Sequence, residues 1–151
     1  MRKGLIAGLA LMMAMSVSAV QAEGPVEMRI QAMKDTGAAM RVLAKAAKGQ
    51  TEISLLQELA AKTVKKTGAS IPAMFPKGTG PDDAMMGDTR AKSEIWSDWK
   101  GFTAQATAME QAGDALIAAV GAGDRAALGA ALDQAGKACG GCHKPYRTPK
   151  E

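Results

Sequence analysis

Cys139-Gly140-Gly141-Cys142-His143-Lys144-Pro145-Tyr146-Arg147, close to the carboxyl end, is the stretch from which the rest of the chain is read. Its first five residues follow the pattern C-x-x-C-H, which reads as a c-type haem attachment site. The spacing has a chemical reason. Two thiols three residues apart reach the two vinyl groups on one edge of a porphyrin, and the adjacent imidazole is carried beneath the ring to serve as an axial ligand to iron. These are the only two cysteines and the only histidine among 151 residues. A structural zinc site needs four ligands and would be one short. A thioredoxin-like redox pair calls for a βαβ setting, and no strand-like alternation surrounds the motif. A disulfide across so small a loop would add little stability.

The amino end points the same way. Arg2 and Lys3 precede an apolar run from Leu5 to Met15, followed by small residues and Val20-Gln21-Ala22. A charged start, a short apolar stretch and a small-x-small site predict a secretory signal peptide over residues 1–22, cleaved after Ala22, and not a membrane span. Haem is attached to such proteins on the exported side of the membrane, which in a bacterium is the periplasm. The mature domain would be 23–151, one domain's worth. Cleavage removes two of the 19 basic residues and none of the 15 acidic ones, for a net charge of +2. No nucleic-acid surface is expected, because the densest basic pair, Lys65-Lys66, lacks flanking aromatics that could stack on bases.

Between these ends the chain reads as helices. Alanine is abundant, aromatic residues make up 3%, and apolar residues recur with helical period. Pro25 suits a first turn, and Val26, Ile30, Met33, Gly37, Met40, Ala44 and Ala47 form one stripe that Gly49 ends. A second helix is expected from Thr51 to a stop at Gly68, on the stripe Ile53, Leu56, Ala60, Val64 and Thr67. Pro72, Pro76, Gly78, Gly80, Pro81 and Gly87 then predict a long irregular connection, placed to cover one edge of a cofactor. A third helix is expected from Thr89 to Val120 through Ile95, Trp99, Phe102, Ala106, Met109, Gly113 and Leu116. Asp124 is a good N-cap for a fourth, which carries Leu128, Leu132, Ala135, Cys139 and Cys142 to the motif. The fold class is all-α: an antiparallel four-helix bundle with haem attached to its last helix. Glycines on inward stripes, Gly37 and Gly113, either make room for a flat ring or let helices pack closely. Trp96 and Trp99 read as core.

The segment Cys139 to Arg147 resembles the C-x-x-C-H-x-x-[YF]-R signature of the cytochrome c′ family, whose four-helix bundles carry one haem c near the carboxyl end. The resemblance extends over the mature chain, through Phe75-Pro76, Ile95-Trp96 and the Gly-Asp break at 123–124. It implies thioether bonds from Cys139 and Cys142 and proximal ligation by His143. Two branches of the family differ on the first helix. In cytochromes c′ proper an apolar residue closes the sixth site and leaves iron five-coordinate. In the low-spin cytochrome c-556 branch a Met ligates it. Periodicity alone leaves Met33 and Met40 both open, about 10 Å apart along the helix. Gln31-Ala32-Met33-Lys34-Asp35-Thr36-Gly37 is similar to the c-556 pattern, which implies Met33 as distal ligand. The family likeness further implies Arg29 near a haem propionate and Arg147 beside the proximal imidazole, with Tyr146 packed close by.

The function so implied is that of a periplasmic, single-haem, low-spin electron carrier and not an enzyme. Its partners would be redox proteins, and relatives form homodimers through their first two helices. The alternative is a high-spin cytochrome c′ with an open sixth site that binds or senses nitric oxide or carbon monoxide. A copper carrier built on Met85-Met86 would leave the motif unexplained.

Overall fold

The computed structural model describes residues 24–83 and 89–149. The expected leader over 1–22, with its cleavage point, lies outside the described residues, as do Met85 and Met86. Four long helices and one short turn form an antiparallel bundle: α1 (Pro25–Ala47), α2 (Leu55–Met74), α3 (Glu94–Ser97), α4 (Trp99–Gly121) and α5 (Arg125–Tyr146). Helix α1 packs on α2 and α5, and α4 packs on the same two. Leu43, Val64, Leu116 and Leu128 are fully enclosed between them.

Helix ends follow local chemistry. Gly49 closes α1 at φ +70°, a backbone setting that costs glycine little. Asp124 caps α5 as expected, accepting from the amides of Ala126 at 2.9 Å and Ala127 at 3.0 Å. The second helix departs from expectation at both ends. It begins after Ser54, because Ser54 and Gln57 form a capping box in which the Ser54 amide donates to Gln57 Oε1 at 2.9 Å. It also runs through Gly68 to Met74. Gly68 is no stop. It lies where α4 crosses, and a Cβ there would sit 2.5 Å from the Glu110 amide nitrogen. A Cβ on Gly113 would likewise sit 2.5 Å from Lys65 Cα. The inward glycine of α4 therefore serves close helix packing, not a cofactor.

Three further expectations are revised. The third helix is broken at Asp98, which leaves the one-turn α3 and caps α4 by accepting from the Gly101 amide at 3.1 Å. Trp99, expected in the core, is 40% exposed. On α1 the buried face comprises Val26, Arg29, Thr36, Ala39, Leu43 and Ala46, rotated from the expected stripe. Packing against both α2 and α5 encloses the row beside the expected one, and leaves Ile30 45% exposed. The other end is closed. Arg125 reaches from α5 to the carbonyl of Ala46 and, at 2.9 Å, to that of Thr51.

Gly113→Ala should destabilise the protein by about 1–3 kcal/mol, the usual cost of overpacking against backbone that cannot swing aside. Helix propensity alone forecasts a gain of about 1 kcal/mol. Urea unfolding followed by far-UV circular dichroism decides the sign, and a stabilised variant would contradict the crossing described.

Candidate cofactor site

At the open end, α1, α2, α4, α5 and the segment before α3 enclose a cavity of about 380 Å³. Its walls are mostly apolar: Val26 and Ile30 from α1, Ile71 from α2 with Phe75 just beyond it, Ile95 from α3 and Phe102 from α4. Periodicity explains the convergence. Val26 and Ile30 lie one turn apart on α1, while Ile71 and Phe75 belong to the part of α2 and its exit that continues past Gly68. Phe102 anchors the floor, meeting Phe75 edge-on at 4.9 Å and Tyr146 edge-on at 5.4 Å between ring centres.

The residues singled out by sequence arrive at this one place. Cys142 and His143 from α5 and Met33 from α1 all border the cavity, with Arg29 and Arg147 beside them. Met33 is half-buried. Met40, two turns along α1, does not border the cavity. Cys139 lies one turn before Cys142 and is half-buried without lining the wall. The two thiols form no disulfide with each other. Among the described residues no three of His, Cys, Asp and Glu converge on a point that could hold an ion. Lys65, part of the densest basic cluster, is paired with Asp114 at 2.6 Å on an exposed face.

The electrostatics suit a neutral donor set. Burial, followed by the positive charges of Arg147 and Arg90, holds the His143 imidazole below its usual range. Neutral imidazole is the form that ligates a metal. Burial pushes the Cys142 thiol up to about 11, helped by its proximity to Cys139 and opposed by Arg147. Cys139 is raised by burial too. Two neutral thiols, a neutral imidazole and a thioether around an apolar slot are what a flat, iron-bearing macrocycle asks of a protein, and the residues present fit such a group.

Several features of the site carry no signal in the sequence. Arg90 borders the cavity and is tied to the end of α5, its guanidinium donating to the Thr148 carbonyl at 2.7 and 3.0 Å. Ala91 and Arg147 form an isolated antiparallel bridge, so residues 89–92 wall the cavity from outside. Tyr146 donates to Asp98 Oδ2 at 2.5 Å, joining the turn after His143 to the start of α4. Arg29 is buried, its guanidinium turned to the end of α2 and the following loop. These are contacts between residues 45 or more apart in sequence, and spacing rules do not reach that far.

Fold and site together define a c-type cytochrome built as a helical bundle, with a single haem c covalently attached. The family model for cytochrome c′ matches residues 24–147, and the chain belongs to the cytochrome c′ family. It is 38% identical over 125 residues to cytochrome c′ of Pararhodospirillum photometricum, covering 83% of this chain and 97% of that one. It is 34% identical over 133 residues to cytochrome c-556 of Agrobacterium fabrum, covering 87% of this chain and 86% of that one. The crystal structure of cytochrome c′ from Thermochromatium tepidum superposes with a TM-score of 0.74 at 25% identity, over 83% of this chain and 95% of that one.

The Tyr146–Asp98 bond should leave a pH signature. Bonding to Asp98 pushes the Tyr146 phenol from 10.0 up to about 12. The folded state thus favours the neutral phenol, so its contribution is complete below pH 10 and is lost as pH rises toward about 12. Denaturant midpoints of wild type and Tyr146→Phe should differ most near neutrality and converge above pH 12. A gap that persists there would contradict the assignment.

Proposed function

We propose that this protein is a periplasmic, low-spin electron carrier in which Cys139 and Cys142 tether the haem and His143 and Met33 ligate its iron. The observation that carries this reading is that Met33 and His143 border one apolar cavity from different helices, while Met40 lies outside it. When bound, the haem supplies an iron that takes up and gives up one electron. The remaining properties belong to the chain. His143 offers a neutral nitrogen, and Met33 offers a soft thioether that favours the ferrous state over a harder ligand. If His143 and Met33 both bind the metal, no vacancy would remain for a substrate, which supports a carrier and not a catalyst. Phe75, Phe102, Ile71 and Ile95 line the cavity with apolar surface and would exclude water from a metal held there. Arg147 and Arg90 place positive charge beside His143, which opposes imidazolate character and raises the reduction potential. Arg29 borders the same cavity, and although its donors are taken by Met74 and Thr79, its positive charge would act on a haem propionate nearby.

Residues 1–22 are assigned as the cleaved leader and 23–151 as the exported domain. Among the described residues no helix is long and apolar enough to cross a membrane. Partner redox proteins would dock briefly over small areas at the haem edge. A second copy of the chain is the partner proposed for α2, where Leu55, Leu56 and Leu59 are 66%, 58% and 53% exposed. Sedimentation velocity should give a dimer that Leu56→Glu splits; a wild-type monomer would contradict that assignment.

Relatives in both branches match at similar identity, 38% for a cytochrome c′ and 34% for a cytochrome c-556. The gas-binding alternative is therefore set against the carrier by spectra. The oxidised holoprotein should show a low-spin spectrum with a weak long-wavelength sulfur-to-iron band. Met33→Ala should abolish both and create a site for carbon monoxide in the reduced form. An unchanged spectrum in that variant would remove Met33 from the account, and a high-spin wild type would favour gas binding.

A further inference from the structure

Arg29 is a buried cation, 5% exposed, with no acidic partner among the described residues. Its Nε donates to the Met74 carbonyl at 2.6 Å and one terminal nitrogen to the Thr79 carbonyl at 2.9 Å. The other terminal nitrogen donates to Thr79 Oγ1. The guanidinium stacks 4.1 Å above the Phe75 ring and 5.8 Å from that of Trp96. The acceptors are themselves held in place. Thr79 Oγ1 donates to the Pro76 carbonyl at 2.7 Å, and Trp96 Nε1 donates to the carbonyls of Phe75 at 3.2 Å and Pro76 at 3.1 Å. The guanidinium is thus fixed from several sides at once, by backbone carbonyls, a hydroxyl and a ring face.

What the arrangement holds is the opening of α1. Between Pro25 and Thr36 the buried residues of this helix are Val26 and Arg29 alone. Met33 lies one turn beyond Arg29 on this sparsely anchored stretch, flanked by Ile30, 45% exposed, and the exposed Lys34. We propose that Arg29 is a positioning residue for Met33. By bolting the first turns of α1 to the end of α2 and the 75–80 loop, it fixes the height at which the Met33 thioether enters the cavity, beyond any charge it offers the cofactor. The proposal rests on the reading of Met33 as distal ligand.

The test compares oxidised holoproteins of wild type, Arg29→Met and Thr79→Val, with imidazole as the competing ligand. Thr79→Val deletes one acceptor of Arg29 and the hydroxyl's bond to the Pro76 carbonyl while keeping side-chain shape, and Thr79 does not border the cavity. It also carries the test should Arg29→Met fail to fold. With helix content unchanged, the sulfur-to-iron band should weaken in both variants, and imidazole should bind about tenfold tighter in Arg29→Met and severalfold tighter in Thr79→Val, the scale of charge-assisted hydrogen bonds lost. Wild-type band and affinity in both variants overturn the proposal. A change in Arg29→Met with none in Thr79→Val overturns it too, because Arg29 would then act on the cofactor directly. A wild type without the band defeats the carrier reading instead. Positioning is then judged in the reduced carbonyl form of protein labelled with ¹³C at the methionine methyls. A Met33 resonance that is sharp in wild type and averaged in both variants supports the proposal, and an unchanged resonance overturns it.

Discussion

The contact on which the rest of the structure depends is the crossing of α2 and α4, where Gly68 and Gly113 each admit the other helix's backbone. Two helices brought this close form a rigid spine, because close-packed backbone cannot relax as side chains do. Around that spine α1 and α5 splay apart at one end and are drawn together at the other by Arg125. The splayed end is the cavity. A bundle packed evenly along its length would have no place for a flat cofactor.

The open end is held in shape by polar contacts at its rim. Tyr146 meets Asp98 at the start of α4, Arg90 grips the carbonyl of Thr148, and Arg29 fastens α1 to the loop after α2. Each joins the edge of one element to the edge of another, and each leaves the apolar lining undisturbed. The consequence is a mostly apolar slot whose cations, Arg29, Lys34, Arg90 and Arg147, sit on the walls with no acidic residue lining the cavity among the described residues. That balance favours a bound group carrying carboxylates and a metal held in its lower charge state.

Much of this was readable from the chain, for local reasons. The C-x-x-C-H motif compresses a cofactor, its tether and one ligand into five residues. Gly49 and Asp124 act through backbone geometry within a turn of themselves, so their roles as stop and cap are legible. Gly68 was misread because glycine ends a helix and admits a neighbouring helix with equal ease, and only the neighbour decides. The capping box at Ser54 and Gln57 is a local signal, and it could have set the start of α2. The face of α1 could not be fixed by period alone, since its neighbours, not its own sequence, choose which of two adjacent rows is enclosed. Thr79 as a partner of Arg29 leaves no trace in spacing, and the choice of Met33 over Met40 rests on family likeness, with Met33 bordering the cavity and Met40 outside it.

The most direct measurement is X-ray absorption at the iron edge of the oxidised holoprotein. The arrangement of α1 against α5 predicts one sulfur among the atoms bound to iron, alongside nitrogens, with that sulfur absent in Met33→Ala. A first shell of nitrogens without sulfur in the wild type would contradict a thioether reaching the metal from α1.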